Sequence, residues 1–125
     1  MYFDVEDIET FDKLTKESKI CVVDFYANWC GPCKKLGPEL QKAVTENATI
    51  CAQVTTDLDD IKGKIVFIKI NIDKFEELAK SFKITSIPQI SFYYNGELLL
   101  TKFLGIKISE TIKTIENLMN GVTVN

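Results

Sequence analysis

Two short apolar runs set the architecture. KICVVDFYA, residues 19–27, and IVFIKIN, residues 65–71, are rich in β-branched side chains and too short for buried helices. Each reads as a strand covered on both faces, the kind found in parallel sheets sandwiched between helices. Each also carries one charge inside its apolar stretch, Asp24 in the first and Lys69 in the second.

The remaining pattern supplies the helices. Tyr2 to Val5 reads as a short edge strand. Residues 4–18 follow as a helix with Ile8, Phe11 and Leu14 at helical spacing and Asp7 and Glu9 favouring its N-terminal dipole. A second helix begins after WCGPC, carries Leu36, Leu40 and Val44 inward, and should kink at Pro38. Asp73 should open a third helix running to Phe82, with Leu78 and Ala79 inward. Beyond Ile87-Pro88, the runs QISFYY and ELLLTKF flank Asn95-Gly96, a strong hairpin signal that Gly105 ends. Residues 109–119 close the chain as a helix with Ile108, Ile112, Ile115 and Met119 on one stripe.

The predicted order is β-α-β-α-β-α-β-β-α: an α/β domain with a mixed central sheet, a C-terminal antiparallel hairpin and helices on both faces. It is expected to be one domain over residues 1–125, with an extra segment near 46–62. That segment is long for a connection, and Cys51, Val54, Leu58 and Ile61 continue a spacing near three and four. Additional helix is expected there rather than loop, either the preceding helix running on past Asn47 or a second short helix following it.

Composition narrows the function. With 46% hydrophobic residues the chain can build a packed core without staples, and a net charge of −3 argues against a nucleic-acid binder. The acidic start, MYFDVEDIET, resembles neither a secretory nor a transit signal, and no apolar run reaches membrane-spanning length. A soluble, cytoplasmic monomer is expected. The absence of histidine removes imidazole ligands and every histidine-based base or triad.

The chemistry then falls to cysteine. Cys30 and Cys33 form a CxxC pair, while Cys21 and Cys51 are isolated. Structural zinc wants four ligands in paired sets, and only one pair is present. A structural disulfide closing so small a loop removes little unfolded-state entropy. A redox pair uses every neighbour. Cys30 falls where a helix begins, and the unpaired N–H groups and dipole there favour a thiolate. Pro32 suits a first turn. Gly31 leaves room for another backbone, and Cys33 should lie one turn in and be the more buried of the two. Trp29 either walls the nucleophile or belongs to the core. Asp24, six residues before Cys30, is either a buried carboxyl of raised pKa beneath the thiols or a solvated strand end. Lys69 either pairs with Asp24 or snorkels to water. Cys21 reads as an inert core thiol and the sequon at Asn47 as coincidence; the spacing leaves Cys51 open, either inert or exposed in the extra segment and able to form an intermolecular disulfide or a regulatory adduct.

VDFYANWCGPCK resembles the active-site segment of the thioredoxin family, and the likeness continues through KINID, the SIP triplet at 86–88, the Asn-Gly hairpin and the glycine before the last helix. It covers nearly the whole chain except roughly residues 46–62. The resemblance implies the thioredoxin fold and reduction of protein disulfides, with Cys30 as nucleophile, Cys33 as resolving thiol and Asp24 as proton acceptor. It further implies a cis bond before Pro88 that packs against the thiol pair and presents the Ile87 backbone to substrate. No bound cofactor is implied; electrons would come from NADPH through a thioredoxin reductase, and substrates would include peroxiredoxins. Gln89 and Ser86 depart from the family pattern and bear on substrate preference. A disulfide-isomerase domain and a non-catalytic binding module are the alternatives.

Overall fold

The computed structural model describes residues 1–122; the end of the GVTVN tail, residues 123–125, lies outside the described residues. The chain runs β1 (Tyr2–Asp4), α1 (Ile8–Glu17), β2 (Ile20–Tyr26), α2 (Gly31–Thr45), α3 (Ala48–Cys51), β3 (Ile65–Asn71), α4 (Glu76–Ser81), β4 (Gln89–Tyr94), β5 (Glu97–Leu104) and α5 (Ile108–Met119). The sheet order is β1-β3-β2-β4-β5. β1, β3 and β2 are parallel, and the β4–β5 hairpin adds two antiparallel strands. This is the mixed sheet expected from the sequence.

Side chains alternate across the sheet. Ile20 and Val22 of β2 and Ile65 and Phe67 of β3 pack against Leu36, Leu40 and Val44 of α2 and Ile115 and Leu118 of α5. Cys21, Val23 and Phe25, with Val66, Ile68 and Ile70, meet Phe11 and Leu14 of α1 on the other face. Helices therefore cover both faces. The same alternation turns Asp24 and Lys69, side by side in the β2–β3 register, toward α2.

Capping explains where the helices start. Asp7 caps α1 by accepting from the Thr10 N–H at 2.7 Å, so the helix begins at Ile8 rather than at the expected Asp4. Ile8 consequently lies in the first turn and is exposed, and Thr15 completes the inward face. α4 starts at Glu76 rather than Asp73, because Asn71 Oδ1 accepts from the Asp73 N–H and holds the intervening residues in a turn. Leu78 and Ala79 are only half-buried there. α2 continues through Pro38 to Thr45. α5 buries Thr111, Ile115 and Leu118, with Ile108, Ile112 and Met119 half-buried beside them. In the hairpin Asn95 (φ 49°) and Gly96 (φ 85°) take the left-handed conformations that a tight Asn-Gly turn needs.

In segment 46–62 the second short helix offered by the spacing is present, but most of the segment is not helical. It holds one four-residue helix, α3, and is otherwise irregular. Asn47 restarts the chain after α2 by accepting from the Ile50 N–H at 3.0 Å. That restart breaks the periodicity read through α2. The inward residues are Ile50 and Ile61, whereas Cys51 and Leu58 are exposed. Backbone bonds from Thr55 N to Ile65 O and from Ile65 N to Gln53 O tie the segment to the start of β3. Ile50→Ala should therefore lower stability by about 2–5 kcal/mol, and Leu58→Ala by no more than about 0.5 kcal/mol, in urea denaturation. Equal losses would contradict this placement.

Candidate active site

The C-terminal end of β2 feeds directly into α2, and the thiol pair sits at that junction. Cys30 is the N-cap of α2: its backbone is extended, and its Sγ accepts from the Cys33 N–H at 3.2 Å. Cys30 N donates to Ala27 O at 3.1 Å, which closes the turn leaving the sheet. Gly31 and Pro32 form the first helical turn, where the missing proline N–H leaves no bond unmade. Cys30 and Cys33 are joined in a disulfide, with Cα atoms 5.3 Å apart.

The two cysteines are equally buried, at 4% and 5% exposure, which corrects the expectation that Cys33 lies deeper. The disulfide tucks both sulfurs into one turn. Their difference is positional: Cys30 stands at the helix mouth, and Cys33 is inside the helix. The flanking surface is open. Trp29 is 70% exposed, so it is no core residue, and its Nε1 donates to Asp73 Oδ2 at 3.0 Å. Gly31 and Pro32 are exposed, and a Cβ at Gly31 would meet nothing within 4 Å.

Asp24 is 1% exposed, and among the described residues nothing donates a hydrogen bond to either carboxylate oxygen. The solvated strand end is thereby excluded. Burial pushes its pKa from 3.8 up to about 7, and the Lys69 ammonium restrains the rise. Lys69 is half-buried rather than free in water, its Nζ 4.5 Å from the centre of the Tyr26 ring and 5.5 Å from that of Tyr2. A cavity of about 330 Å³ lies next to the disulfide, bordered by Tyr26, Ala27, Asn28, Cys33, Lys34 and Lys69.

The second wall comes from the start of β4. The Ile87-Pro88 bond is cis. Phe25 and Gln89 are partners in the β2–β4 register, so Pro88 lies just past the end of that pairing, near where β2 turns toward Cys30. Pro88 O accepts from the Gly105 N–H at 2.9 Å. Ile87 is half-buried and Ser86 exposed. Gln89 is 1% exposed, and its Nε2 donates to Ser91 Oγ at 3.1 Å, so its side chain does not reach a docking partner.

The remaining cysteines stay apart from the pair. Cys21 is fully buried, which pushes its thiol upward, and Cys51 is exposed. Among the described residues no group of three or more Cys, Asp or Glu side chains could hold a metal ion.

A model of the thioredoxin family matches residues 3–117. The chain belongs to the thioredoxin family. It is 34% identical over 112 residues to mitochondrial thioredoxin of Mus musculus, covering 89% of this chain and 58% of that protein. The chain thus spans less than two thirds of the mammalian relatives it matches. The crystal structure of oxidised mitochondrial thioredoxin 3 from Saccharomyces cerevisiae superposes with a TM-score of 0.72 at 26% identity, covering 93% of this chain and 94% of that one. A structure concerning the thiol resolving mechanism in yeast mitochondrial 1-Cys peroxiredoxin via glutathione/thioredoxin systems gives 0.71 at 25% identity, covering 93% and 94%. The thioredoxin fold read from WCGPCK and the SIP triplet is thus the fold observed. No helix among the described residues is long and apolar enough to cross a membrane.

Two features of the site escaped the sequence. Asp73 reads as a helix opener, yet it anchors Trp29 from 44 residues away. Tyr26 reads as a strand residue, yet it borders the cavity beside Cys33 and holds the Lys69 ammonium. Neither contact follows from local spacing.

The buried carboxyl has a stability consequence of definite sign. Folded Asp24 keeps its proton up to about pH 7, whereas the unfolded chain loses it near 3.8. Between those values the native state binds more protons, so stability falls as pH rises. Asp24→Asn should therefore be more stable than wild type at pH 8, by about 2–4 kcal/mol, and nearly equal to it at pH 4. Urea denaturation at the two pH values checks this.

Proposed function

We propose that the protein is a thiol-disulfide oxidoreductase that reduces protein disulfides through Cys30 and Cys33. The observation that carries this reading is the disulfide at the mouth of α2, beside an exposed Trp29-Gly31-Pro32 surface and on the face that also buries Asp24. The form with the disulfide closed is the product of one turnover.

In the reduced form, Cys30 at the helix N-terminus supplies the thiolate. It attacks one sulfur of a substrate disulfide. That S–S bond breaks, the first substrate sulfur leaves as a thiolate and takes a proton from water, and a mixed disulfide remains on Cys30. Cys33 then gives its proton to the Asp24 carboxylate and attacks Cys30 Sγ. The second substrate sulfur departs as a thiolate and takes a proton from water, and the Cys30–Cys33 bond closes. The substrate has gained two electrons and two protons; the dithiol has lost the same.

Each supporting residue has a role. Gly31 and Pro32 keep the approach to Cys30 clear and rigid, and Trp29, braced by Asp73, presents a flat apolar face. Ile87 offers backbone to an extended substrate segment beside Pro88, as an added strand would pair. Lys69 keeps Asp24 able to ionise near neutral pH. The protein acts as one domain and as a monomer, holds no cofactor of its own, and is recharged with electrons from NADPH through a thioredoxin reductase. Its substrates include peroxiredoxins, a reading supported by the similarity to the structure concerned with a yeast 1-Cys peroxiredoxin. It works where thiols are kept reduced, the cytoplasm in the first instance; several relatives are mitochondrial.

Insulin reduction tests the reading. Wild type should be active, and Cys30→Ser inactive. Cys33→Ser should accumulate the mixed disulfide, because nothing resolves it. Release of substrate by wild type should slow as pH falls through about 7, since a protonated Asp24 cannot accept a proton. Equal insulin reduction by wild type and Cys30→Ser would end the enzyme reading and favour a binding module.

A further inference from the structure

Trp29 stands beside Cys30 with little packing around its ring, being 70% exposed. An indole has a single hydrogen-bond donor, and here it goes to Asp73 Oδ2 at 3.0 Å. Asp73 is itself exposed. A bond between two exposed groups is weak. It holds a ring in one orientation only if its acceptor is fixed from elsewhere.

Asn71 fixes that acceptor. It ends β3 and is 4% exposed. Its side-chain Oδ1 accepts from the Asp73 N–H at 2.9 Å. Its backbone carbonyl accepts from the N–H groups of Lys74 and Phe75, each at 3.1 Å. Three successive amides of the β3–α4 junction are thus tied to one buried residue. Asn71 is held in turn by the sheet. It partners Tyr26 in the β2–β3 register, and Ile72 N–H donates to Tyr26 O at 2.9 Å just beyond. The chain reaches Trp29 shortly after Tyr26 on one strand, and Asp73 shortly after Asn71 on the next. Register therefore brings indole and carboxylate together across 44 residues of sequence. An asparagine suits the place, because its oxygen serves the Asp73 N–H while its NH2 group is left to meet the Tyr26 hydroxyl.

We propose that Asn71 is a positioning residue for substrate docking: by holding the turn at Asp73, it presets the Trp29 ring beside Cys30 in the orientation that a protein substrate meets. This rests on the reduction of protein disulfides at Cys30. A ring left free would have to be ordered at every encounter, and that ordering weakens binding. A disulfide too small to reach Trp29 would not feel the difference. Asn71 touches no reacting atom, so its effect falls on docking and not on sulfur chemistry.

Trp29 is the sole tryptophan of the chain, so indole fluorescence reports this ring alone. Two variants address the two ends of the brace. Asn71→Ala releases the turn and leaves the Asp73 carboxylate in the chain. Asp73→Ala removes the acceptor from an exposed position and leaves Asn71 intact. Time-resolved anisotropy of Trp29 is measured in the folded proteins, together with reduction of insulin and of 5,5′-dithiobis(2-nitrobenzoate) by the dithiol form. Both variants should show a faster, wider indole motion than wild type. Both should raise the half-saturating insulin concentration about three- to tenfold, with the saturating rate and the rate on the small disulfide within about twofold of wild type. Folded Asn71→Ala with wild-type anisotropy and wild-type insulin saturation would overturn the proposal, even if its thermal stability drops, because that is the behaviour of an asparagine that only supports α4. Changes in Asp73→Ala that Asn71→Ala does not share would overturn it too. If wild type leaves insulin unreduced, the reading of the site as a protein-disulfide reductase falls, and the docking role of Asn71 falls with it.

Discussion

β2 is the element on which the rest of the site depends. It lies inside the sheet, flanked by β3 and β4, and helices cover both of its faces, so all of its residues except the last are buried. A strand so enclosed has one register compatible with its apolar pattern, because a slip of one residue would exchange the two cores. That register aims Asp24 at α2 and delivers the chain to Cys30 at the mouth of the same helix. The position of the thiols and the burial of the carboxyl are thus consequences of one packing decision.

The magnitudes show why Asp24 is hard to explain as structure. Moving its pKa from 3.8 to about 7 corresponds to about 4 kcal/mol against the charged form. Domains of this size are stable by only about 5–15 kcal/mol in all. An apolar side chain would fill the position without that penalty. A buried carboxyl poised near neutral pH, facing the helix that carries a redox thiol pair, is instead suited to exchanging protons. Lys69 has the complementary part: it lies close enough to restrain the shift, yet its ammonium rests over two tyrosine rings. The carboxyl is therefore tuned rather than neutralised.

Much of this was legible in the sequence, for physical reasons. Asp24 and Lys69 stand out because each interrupts an apolar strand, and the two-residue period then sets them on one face. Cys30 is readable as a helix cap because CGPC follows a strand and proline tolerates a first turn. The Asn95-Gly96 hairpin is readable because few other dipeptides take two left-handed conformations. What failed was periodicity carried past a restart. Asn47 begins a new helical turn, so Ile50 rather than Cys51 faces inward. Asp7 does the same before α1 and leaves Ile8 in water. Contacts made by the fold alone, such as Trp29 with Asp73 or Tyr2 beneath α2, leave no local trace. Nor did helical depth predict sulfur burial, because the disulfide draws both cysteines into the same turn.

The proposed resolving step depends on Asp24 holding its proton into the neutral range inside the fold. Carbon-detected NMR of the Asp24 carboxyl in the oxidised protein measures that directly. A midpoint near 7 is expected. A midpoint near 4, the value of an ordinary solvated aspartate, would contradict it.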